Sequence, residues 1–215
     1  MIFNGMKFIL ASKSPRRKEI LENLGIDFRI VTAHTDEDSD ITDPSELVRE
    51  LSVRKGMAVA EELIRNNKIV ESTIVISSDT VVASEGKILG KPHDEADAKM
   101  MLRGLSGRAH SVFSGIALTL VEGGRVVKTA AATEETKVYF SAMDEDDIDF
   151  YVKNEHVYDK AGAYAIQGIA SAFIEKIDGD YFNVVGLPVR RMFRLMEEEY
   201  GIKLRFISDI LASRE

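Results

Sequence analysis

The hydrophobic pattern near the N-terminus changes its period within the first thirty residues. The short, continuous apolar run Lys7–Ala11 predicts a buried strand. Arg16–Leu24 has apolar residues at helical spacing, and the preceding dipeptide Ser14-Pro15 favours a helix start with proline at the first position. Gly25 predicts the end of that helix, and Phe28–Val31 predicts a second strand.

A long helical pattern follows an acidic loop. His34–Asp43 is rich in acidic residues and predicts a loop, and Asp43-Pro44 predicts the start of a helix that runs to about Asn66. The apolar positions of this helix predict one buried face. That face is expected to include Leu47, Leu51, Ala58 and Leu63 with their neighbours.

The rest of the chain predicts antiparallel strand pairs and three further helices. Thr73–Ala83 predicts a strand that turns at Glu85-Gly86 and returns through Lys87–Leu89. Two long strands, Ala109–Val121 and Arg125–Phe140, are predicted to meet at Gly123-Gly124. Further elements are predicted at Asp94–Leu102 (helix), Asp144–Asn154 (helix), Ala172–Ile177 (strand) and Leu187–Tyr200 (helix).

This order of elements predicts a mixed α/β fold, a central mixed sheet flanked by helices. No repeat, linker or low-complexity segment divides the chain, so we expect one domain over residues 1–215. Hydrophobic residues make up 45% and charged residues 30%, which excludes a disordered tail protein and a collagen-like fibre. Apolar runs are far below the roughly 20 residues that cross a bilayer, so we expect no membrane partner.

Cysteine is absent from the chain. Disulfides, thiolate zinc sites and cysteine nucleophiles are therefore excluded, and the composition suits a cytoplasmic protein. The 28 basic and 36 acidic residues give a net charge of −8, which opposes a general nucleic acid binder because such binding neutralises phosphates. A small anionic ligand requires basic residues that are gathered at one place.

Such a gathering occurs at Ser12-Lys13-Ser14-Pro15-Arg16-Arg17-Lys18, where a predicted strand gives way to a helix. The free N–H groups of a helix N-terminus favour a phosphate, and arginine forks add paired, charge-assisted hydrogen bonds. Basic residues in a first helical turn otherwise oppose the helix dipole. The alternative is an ordinary surface helix with solvated basic side chains.

Asp79 interrupts an apolar strand. A carboxylate there must be hydrogen-bonded, paired or close to a metal, because burial of a bare charge is costly. Ligands of open α/β sheets gather beyond the carboxyl ends of strands, where both Asp79 and the Ser12–Arg17 turn would lie. An edge acid or an internal ion pair is the alternative.

Other polar residues are weaker candidates when each is taken alone. The acidic run Asp36-Glu37-Asp38 could hold a divalent cation through oxygen ligands, although solvated charge runs are commoner. His110 is expected to start a strand, and Asp144–Asp147 to be only an acidic helix N-terminus. The chain lacks the P-loop, the Rossmann glycine fingerprint and His-Glu-x-x-His. Lys55, Lys91 and Gln167 are, by themselves, ordinary surface or loop residues.

Six motifs in sequence order resemble the Maf family of nucleoside triphosphate pyrophosphatases. They cover most of the chain: Ala11–Arg17, Ser78–Val82, Leu89–Pro92, Leu105–His110, Asp159–Gly168 and Gly186–Pro188. The resemblance implies an elongated, two-lobed fold similar to inosine triphosphate pyrophosphatases, with the nucleotide in a cleft. It also implies hydrolysis between the α- and β-phosphates, which releases a monophosphate and pyrophosphate.

The same resemblance implies the roles of individual residues. It matches Ser12, Ser14, Arg16 and Arg17 to phosphate contacts. It matches Asp79 to the proposed proton acceptor, and it matches Glu37 to the acid that follows the second strand. Three further site positions match Lys55, Lys91 and Gln167.

A divalent cation, Mg²⁺ or Mn²⁺, is expected to bridge the phosphates and Asp79 or Glu37. Asp79 would orient or deprotonate the attacking water, and the sequence does not separate its metal-ligand role from its base role. The stretch Gly162–Gly168 resembles family members that act on dTTP, UTP and modified pyrimidine nucleotides, rather than those that prefer 7-methyl-GTP. Arg16, Thr80 and Gln167 are the positions most tied to this specificity.

Two other functions compete with the enzyme. One is a nucleotide-binding regulator of cell division and septum formation that acts through a partner. A relative that only regulates, without turnover, is expected to have lost Asp79 or the basic cluster. The other is a nucleic acid binder that uses Ser12–Lys18, which the overall acidity opposes. A homodimer is left open.

Overall fold

The fold is built on one mixed sheet. The computed structural model describes residues 6–67 and 71–203. Within these ranges seven strands pair in the order β2-β1-β3-β5-β6-β7, and β4 pairs with β3. The strands are β1 Lys7–Leu10, β2 Phe28–Ile30, β3 Thr73–Ser84, β4 Lys87–Leu89, β5 Ala109–Glu122, β6 Arg125–Phe140 and β7 Ile174–Asp178.

Helices flank the sheet, as the sequence predicts. In the described residues they are α1 Pro15–Asn23, α2 Pro44–Arg65, α3 Glu95–Leu105, α4 Glu145–Asn154, α5 Tyr181–Val185 and α6 Val189–Tyr200. Two short 3₁₀ helices, Ala161–Ala163 and Ile169–Phe173, lie before β7. The prediction of a central mixed sheet flanked by helices is confirmed. In this part of the chain no helix is long and apolar enough to cross a membrane.

Strand direction changes across the sheet as expected. β1 is parallel to both β2 and β3, whereas β5, β6 and β7 continue from β3 in antiparallel pairs. Both predicted hairpin tips are confirmed. The backbone takes positive φ at Glu85 and Gly86, and again at Gly123 and Gly124, as a tight two-residue turn between antiparallel strands requires.

Several predicted boundaries are wrong at the C-terminal half. α3 continues to Leu105, about one turn beyond the predicted end. β7 begins at Ile174 because the two residues before it belong to a 3₁₀ helix. α6 starts at Val189, and the short helix α5 before it was not predicted.

The buried face of α2 also differs from the predicted one. Leu51 and Leu63 are buried as expected, but Leu47 and Ala58 are only half-buried. The face instead includes small and polar residues, namely Ser52 and Gly56. A helix that presents small residues can approach a sheet closely, and hydrophobicity alone does not reveal that face.

Two glycines allow this close approach of α2 to the sheet. A Cβ on Gly115 of β5 would overlap the carbonyl oxygen of Val48. A Cβ on Gly56 would lie 2.6 Å from the hydroxyl of Ser77 on β3. Ser77 also donates a hydrogen bond of 2.7 Å to the carbonyl of Ser52. Backbone atoms therefore set the position of α2 over β3 and β5.

Candidate active site

A cleft of about 520 Å³ opens beyond the carboxyl end of β1 and beside the middle of β3. All ten residues that the sequence proposes for the site line this cleft: Ser12, Ser14, Arg16, Arg17, Glu37, Lys55, Asp79, Thr80, Lys91 and Gln167. They come from α1, α2, β3 and four connecting segments. Asp79 and the Ser12–Arg17 turn line the same cleft as expected, but Asp79 lies within β3 rather than beyond its carboxyl end, because β3 continues past the end of β1.

The N-terminus of α1 faces the cleft. Ser14 occupies the N-cap position and Pro15 the first helical position, as predicted, but the Ser14 side chain makes no capping hydrogen bond. The first N–H groups of a helix have no partner within the helix, so those of Arg16 and Arg17 are available to a ligand. This end of α1 therefore keeps the anion-binding character that the sequence predicts.

The Arg17 guanidinium is bound mainly to the protein itself. It donates to the Gly186 carbonyl at 2.8 Å, to the Ser12 hydroxyl at 3.2 Å and to the Thr80 hydroxyl at 3.1 Å. Burial lowers the pKa of Arg17 and the charge of Asp79 opposes that shift, but an arginine stays charged. Three of its five N–H groups are thus committed to the floor of the cleft.

A lysine joins the two candidate metal-binding acids. The ammonium nitrogen of Lys55, on α2, lies 2.5 Å from Oδ1 of Asp79 and 3.0 Å from Oε1 of Glu37. The side chains of Lys55 and Asp79 are 17% and 12% exposed, so this ion pair is largely shielded from water. Partial burial would raise the pKa of Glu37, but the hydrogen bond and charge of Lys55, with Lys91 and Arg17 nearby, lower it below its ordinary value.

Glu37 is the member of the acidic run that belongs to the cleft. Asp36 accepts a hydrogen bond from the backbone of Asp38, and neither side chain lines the cleft. Arg54 donates to the carbonyl oxygens of both residues and fixes the loop. The loop is held so that only its middle carboxylate faces Lys55.

Arg16 is held by an acid that the sequence does not single out. Its guanidinium lies 3.6 Å from Asp159, which in turn lies 3.0 Å from the ammonium of Lys160. Lys160 is buried and also donates to the carbonyl of His156. Asp159 and Lys160 both line the cleft. Both residues lie in the motif Asp159–Gly168, so that motif could have identified them as site residues.

Two further candidates, Gln167 and Lys91, line the cleft with different exposure. A residue that recognises a base is expected to have a buried amide, but Gln167 is only half-buried. It lies between two 3₁₀ helices and precedes Gly168, whose φ of 81° marks an irregular segment. Lys91 is exposed at the rim.

His110 lies beneath the cleft rather than in it. It is the second residue of β5, as expected, and its Nε2 lies 2.7 Å from the hydroxyl of Tyr164, which lines the cleft. Burial lowers the pKa of His110 to about 4, and its Nδ1 has no hydrogen-bond partner among the described residues. Asp144–Asp147 forms a capping box at the start of α4, so its expected role as an acidic helix N-terminus is confirmed.

The charge of the cleft is opposite to that of the chain. Among the described residues that line it, six are basic and three acidic: Lys13, Arg16, Arg17, Lys55, Lys91 and Lys160 against Glu37, Asp79 and Asp159. The chain as a whole carries −8. This local excess of positive charge suits a polyanion of small size.

The carboxylates fit a divalent cation that is shared with a ligand. Over residues 6–67 and 71–203, no group of three or more acidic or histidine side chains is arranged to hold a metal ion. Mg²⁺ is commonly held by one or two carboxylates together with substrate phosphates and water. Glu37 and Asp79, which contact the same ammonium, supply two such hard oxygen ligands.

Comparisons with known proteins identify relatives that align with nearly the whole chain. A family model described as Maf-like protein matches residues 7–199. A dTTP/UTP pyrophosphatase of Thermoanaerobacter sp. (strain X514) is 44% identical over 199 residues, which cover 93% of this chain and 100% of that protein. A dTTP/UTP pyrophosphatase of Caldanaerobacter subterraneus subsp. tengcongensis is 46% identical over 198 residues, covering 92% and 91%.

Solved structures give a more distant likeness. The Staphylococcus aureus Ham1 protein superposes with a TM-score of 0.40 at 14% sequence identity, over 62% of this chain and 71% of that one.

Proposed function

The chain belongs to the Maf-like protein family, and on that premise we propose that it hydrolyses dTTP and UTP to the monophosphate and pyrophosphate. Modified pyrimidine nucleotides are further candidate substrates, so the enzyme would cleanse the nucleotide pool. The observation that carries the proposal is the Lys55–Asp79 ion pair, which lies inside a basic cleft at the end of the sheet.

The basic side chains are proposed to bind the triphosphate. Arg16, Lys91 and the N-terminus of α1 surround the part of the cleft next to Ser12 and Ser14. In phosphoryl transfer the charge spreads over the phosphoryl oxygens, so catalysis consists mainly of positioning and electrostatic stabilisation. The excess of basic residues in the cleft supplies both.

Asp79 is proposed to act on the attacking water. Its carboxylate is held in the cleft by the ammonium of Lys55, which lies 2.5 Å away. An ionised carboxylate in hydrogen-bond reach of a water can orient it and accept its proton. Lys55 would hold Asp79 in place and offset charge that develops on the phosphates.

Glu37 and Asp79 are the residues that would hold Mg²⁺ or Mn²⁺. When bound, the cation would neutralise phosphate charge and polarise the reacting phosphorus centre. Because no third acidic or histidine side chain among the described residues is arranged to join them, the remaining ligands are expected to be phosphate oxygens and water.

Gln167 is proposed to recognise the base. A side-chain amide donates and accepts at once, so it can match the N3–H and carbonyl edge of uracil or thymine. Cytosine reverses part of that pattern, and purines require a larger pocket. Half-burial of Gln167 leaves its amide accessible to the ligand.

The proposal extends to partner and compartment. We place the enzyme in the cytoplasm, consistent with a chain that contains no cysteine. We propose no nucleic acid or membrane partner, and a homodimer stays a prediction that sedimentation would test. No observation favours the alternative of a cell-division regulator, because Asp79 and the basic cluster are both retained.

The decisive experiment is a panel of canonical and modified nucleoside triphosphates with the purified protein, with Mg²⁺ or Mn²⁺ and with neither. The monophosphate and pyrophosphate are quantified separately. Release of pyrophosphate from dTTP and UTP supports the proposal, whereas release of orthophosphate, or no turnover with either metal, contradicts it.

A further inference from the structure

A serine outside the cleft is connected to the phosphate-facing turn by consecutive hydrogen bonds. Ser114 lies on β5, is fully buried and does not line the cleft. Its hydroxyl lies 2.9 Å from the carbonyl of Asn183 and 2.8 Å from the hydroxyl of Thr80. Thr80 is in turn 3.1 Å from the guanidinium of Arg17, which is 3.2 Å from the hydroxyl of Ser12.

The direction of these hydrogen bonds follows from counting hydrogens. A carbonyl only accepts, so the single hydroxyl hydrogen of Ser114 goes to Asn183. Thr80 then donates its hydroxyl hydrogen to Ser114, which is 2.8 Å away, rather than to the more distant Gly186 carbonyl at 3.5 Å. The oxygen of Thr80 is left to accept from Arg17, which can only donate.

The same count gives the orientation of Ser12. Its oxygen accepts from the guanidinium of Arg17 and from the backbone N–H of Ser14, both at 3.2 Å, which uses both lone pairs. Among the described residues no acceptor is found for its hydrogen. Ser12 lines the cleft, so that hydrogen is available to an anion there.

We propose that Ser114 is a positioning residue for phosphate binding. Through Thr80 it holds the guanidinium of Arg17, and Arg17 makes Ser12 a hydrogen-bond donor toward the cleft. Arg17 therefore acts chiefly through Ser12, and Thr80 offers the ligand no hydrogen. This inference rests on the proposed function in one respect, since it takes a triphosphate or pyrophosphate as the ligand.

The test is a double-mutant cycle between Ser114 and Ser12, read by calorimetric binding of α,β-imido-dUTP and of inorganic pyrophosphate. Ser114→Ala is expected to weaken both affinities about fivefold, the effect of one hydrogen bond. Ser12→Ala should weaken them by tenfold or more, because it removes a donor to a charged group. In the double variant the Ser114 substitution should add less than twofold.

Three companion variants keep the test specific. Ser114→Thr retains the hydroxyl and should restore binding. Thr80→Val breaks the same series of hydrogen bonds at the next residue and should weaken binding as much as Ser114→Ala. If Ser114→Ala does not fold, Thr80→Val takes its place in the double-mutant cycle. Ser77→Ala removes an equally buried hydroxyl that bonds the Ser52 carbonyl, and should lower stability without changing either affinity.

Independent, multiplying effects of Ser114→Ala and Ser12→Ala would overturn the inference, and so would a Ser114→Thr variant that binds as weakly as the alanine variant. A wild type that binds neither probe would also overturn it, since Ser12 would have no anion to contact. Turnover of dTTP is scored separately. If the effects of the Ser114 and Ser12 substitutions on binding are coupled but the wild type does not turn over dTTP, only the proposed function is refuted.

Discussion

Lys55 and Asp79 are 24 residues apart in sequence, yet the lysine ammonium lies 2.5 Å from Oδ1 of the aspartate. The contact joins the middle of α2 to the middle of β3. From sequence, an internal ion pair was the alternative to a functional role for Asp79. The structure has the ion pair inside the cleft, so pairing and accessibility to a ligand occur together.

Asp79→Asn is expected to reduce hydrolysis of dTTP by about 10²-fold or more while the fold is retained. Asparagine has nearly the same shape but neither accepts a proton nor binds a cation as well. Steady-state turnover and circular dichroism measure the two effects. Asp149→Asn, a surface acid paired with Lys99, is the matched control. Turnover of Asp79→Asn within a few-fold of wild type would remove Asp79 from the mechanism.

Lys55→Met should lower hydrolysis by tenfold or more and strengthen binding of Mn²⁺ in the absence of nucleotide. The variant removes the ammonium that contacts both Glu37 and Asp79, so two carboxylates lose their counter-charge and attract another cation. Electron paramagnetic resonance of free Mn²⁺ measures binding. Lys55→Arg keeps the charge and should bind Mn²⁺ as weakly as wild type. Equal Mn²⁺ affinity in all three proteins would contradict the expectation.

Arg16→Ala is expected to weaken binding of α,β-imido-dUTP about tenfold, and Arg16→Lys should restore it only in part because the guanidinium fork is lost. On the proposed function, Arg16 would exchange its present partner Asp159, 3.6 Å away, for a phosphate. Lys18→Ala is the matched control, since Lys18 pairs with Glu22 on the exposed side of α1. If Arg16→Ala and Lys18→Ala bind alike, the basic turn has only a surface role.

Gln167→Glu should lower kcat/KM for dTTP and UTP by tenfold or more, because the side chain loses its donor and gains a charge. In the wild type, both pyrimidines should be consumed faster than dATP, GTP or 7-methyl-GTP. A competition assay that resolves the monophosphates by chromatography measures the order. Faster consumption of a purine triphosphate would refute the base assignment and leave the pyrophosphatase proposal intact.

His110 should make the protein less stable in acid. Burial lowers its folded-state pKa to about 4, against an ordinary value of 6.5, so the unfolded chain binds the proton more readily between these values. Its contribution is complete above pH 6.5 and is lost as pH falls toward 4, by about 3 kcal/mol. Urea unfolding from pH 7 to 4.5 measures this. His110→Gln should flatten the pH dependence, and an unchanged slope would contradict the prediction.

Much of the sheet follows from the sequence because its signals are local. Glu85-Gly86 and Gly123-Gly124 mark turns by their residue types, and the strands beside them alternate or run apolar as strands do. Tyr181–Val185 carries no such signal, since five residues are too few to show a helical period. Similarly, Ser52 and Gly56 face the sheet because α2 approaches it closely, and a hydrophobic pattern does not encode small or polar residues at such contacts.

The candidate site was predictable as a set of residues and not as a set of contacts. The family resemblance identifies all ten proposed residues, eight of them within the six motifs, and all ten line one cleft. One partner of Arg17, the carbonyl of Gly186, is a backbone atom 169 residues away, and a backbone atom leaves no trace in residue type. The pairing of Arg16 with Asp159 depends equally on tertiary structure.

The contact of α2 with the sheet at Gly115 divides the cleft into a fixed wall and an adaptable one. Lys55 and Asp79 belong to α2 and β3, which pack against each other at Gly56 and Ser77, so their separation is already set before a nucleotide arrives and costs no reorganisation on binding. Gln167 and Asp159 instead belong to irregular segments, which we expect to adjust to different bases. Selection for a new nucleobase can therefore act on those segments while the hydrolytic geometry is inherited unchanged.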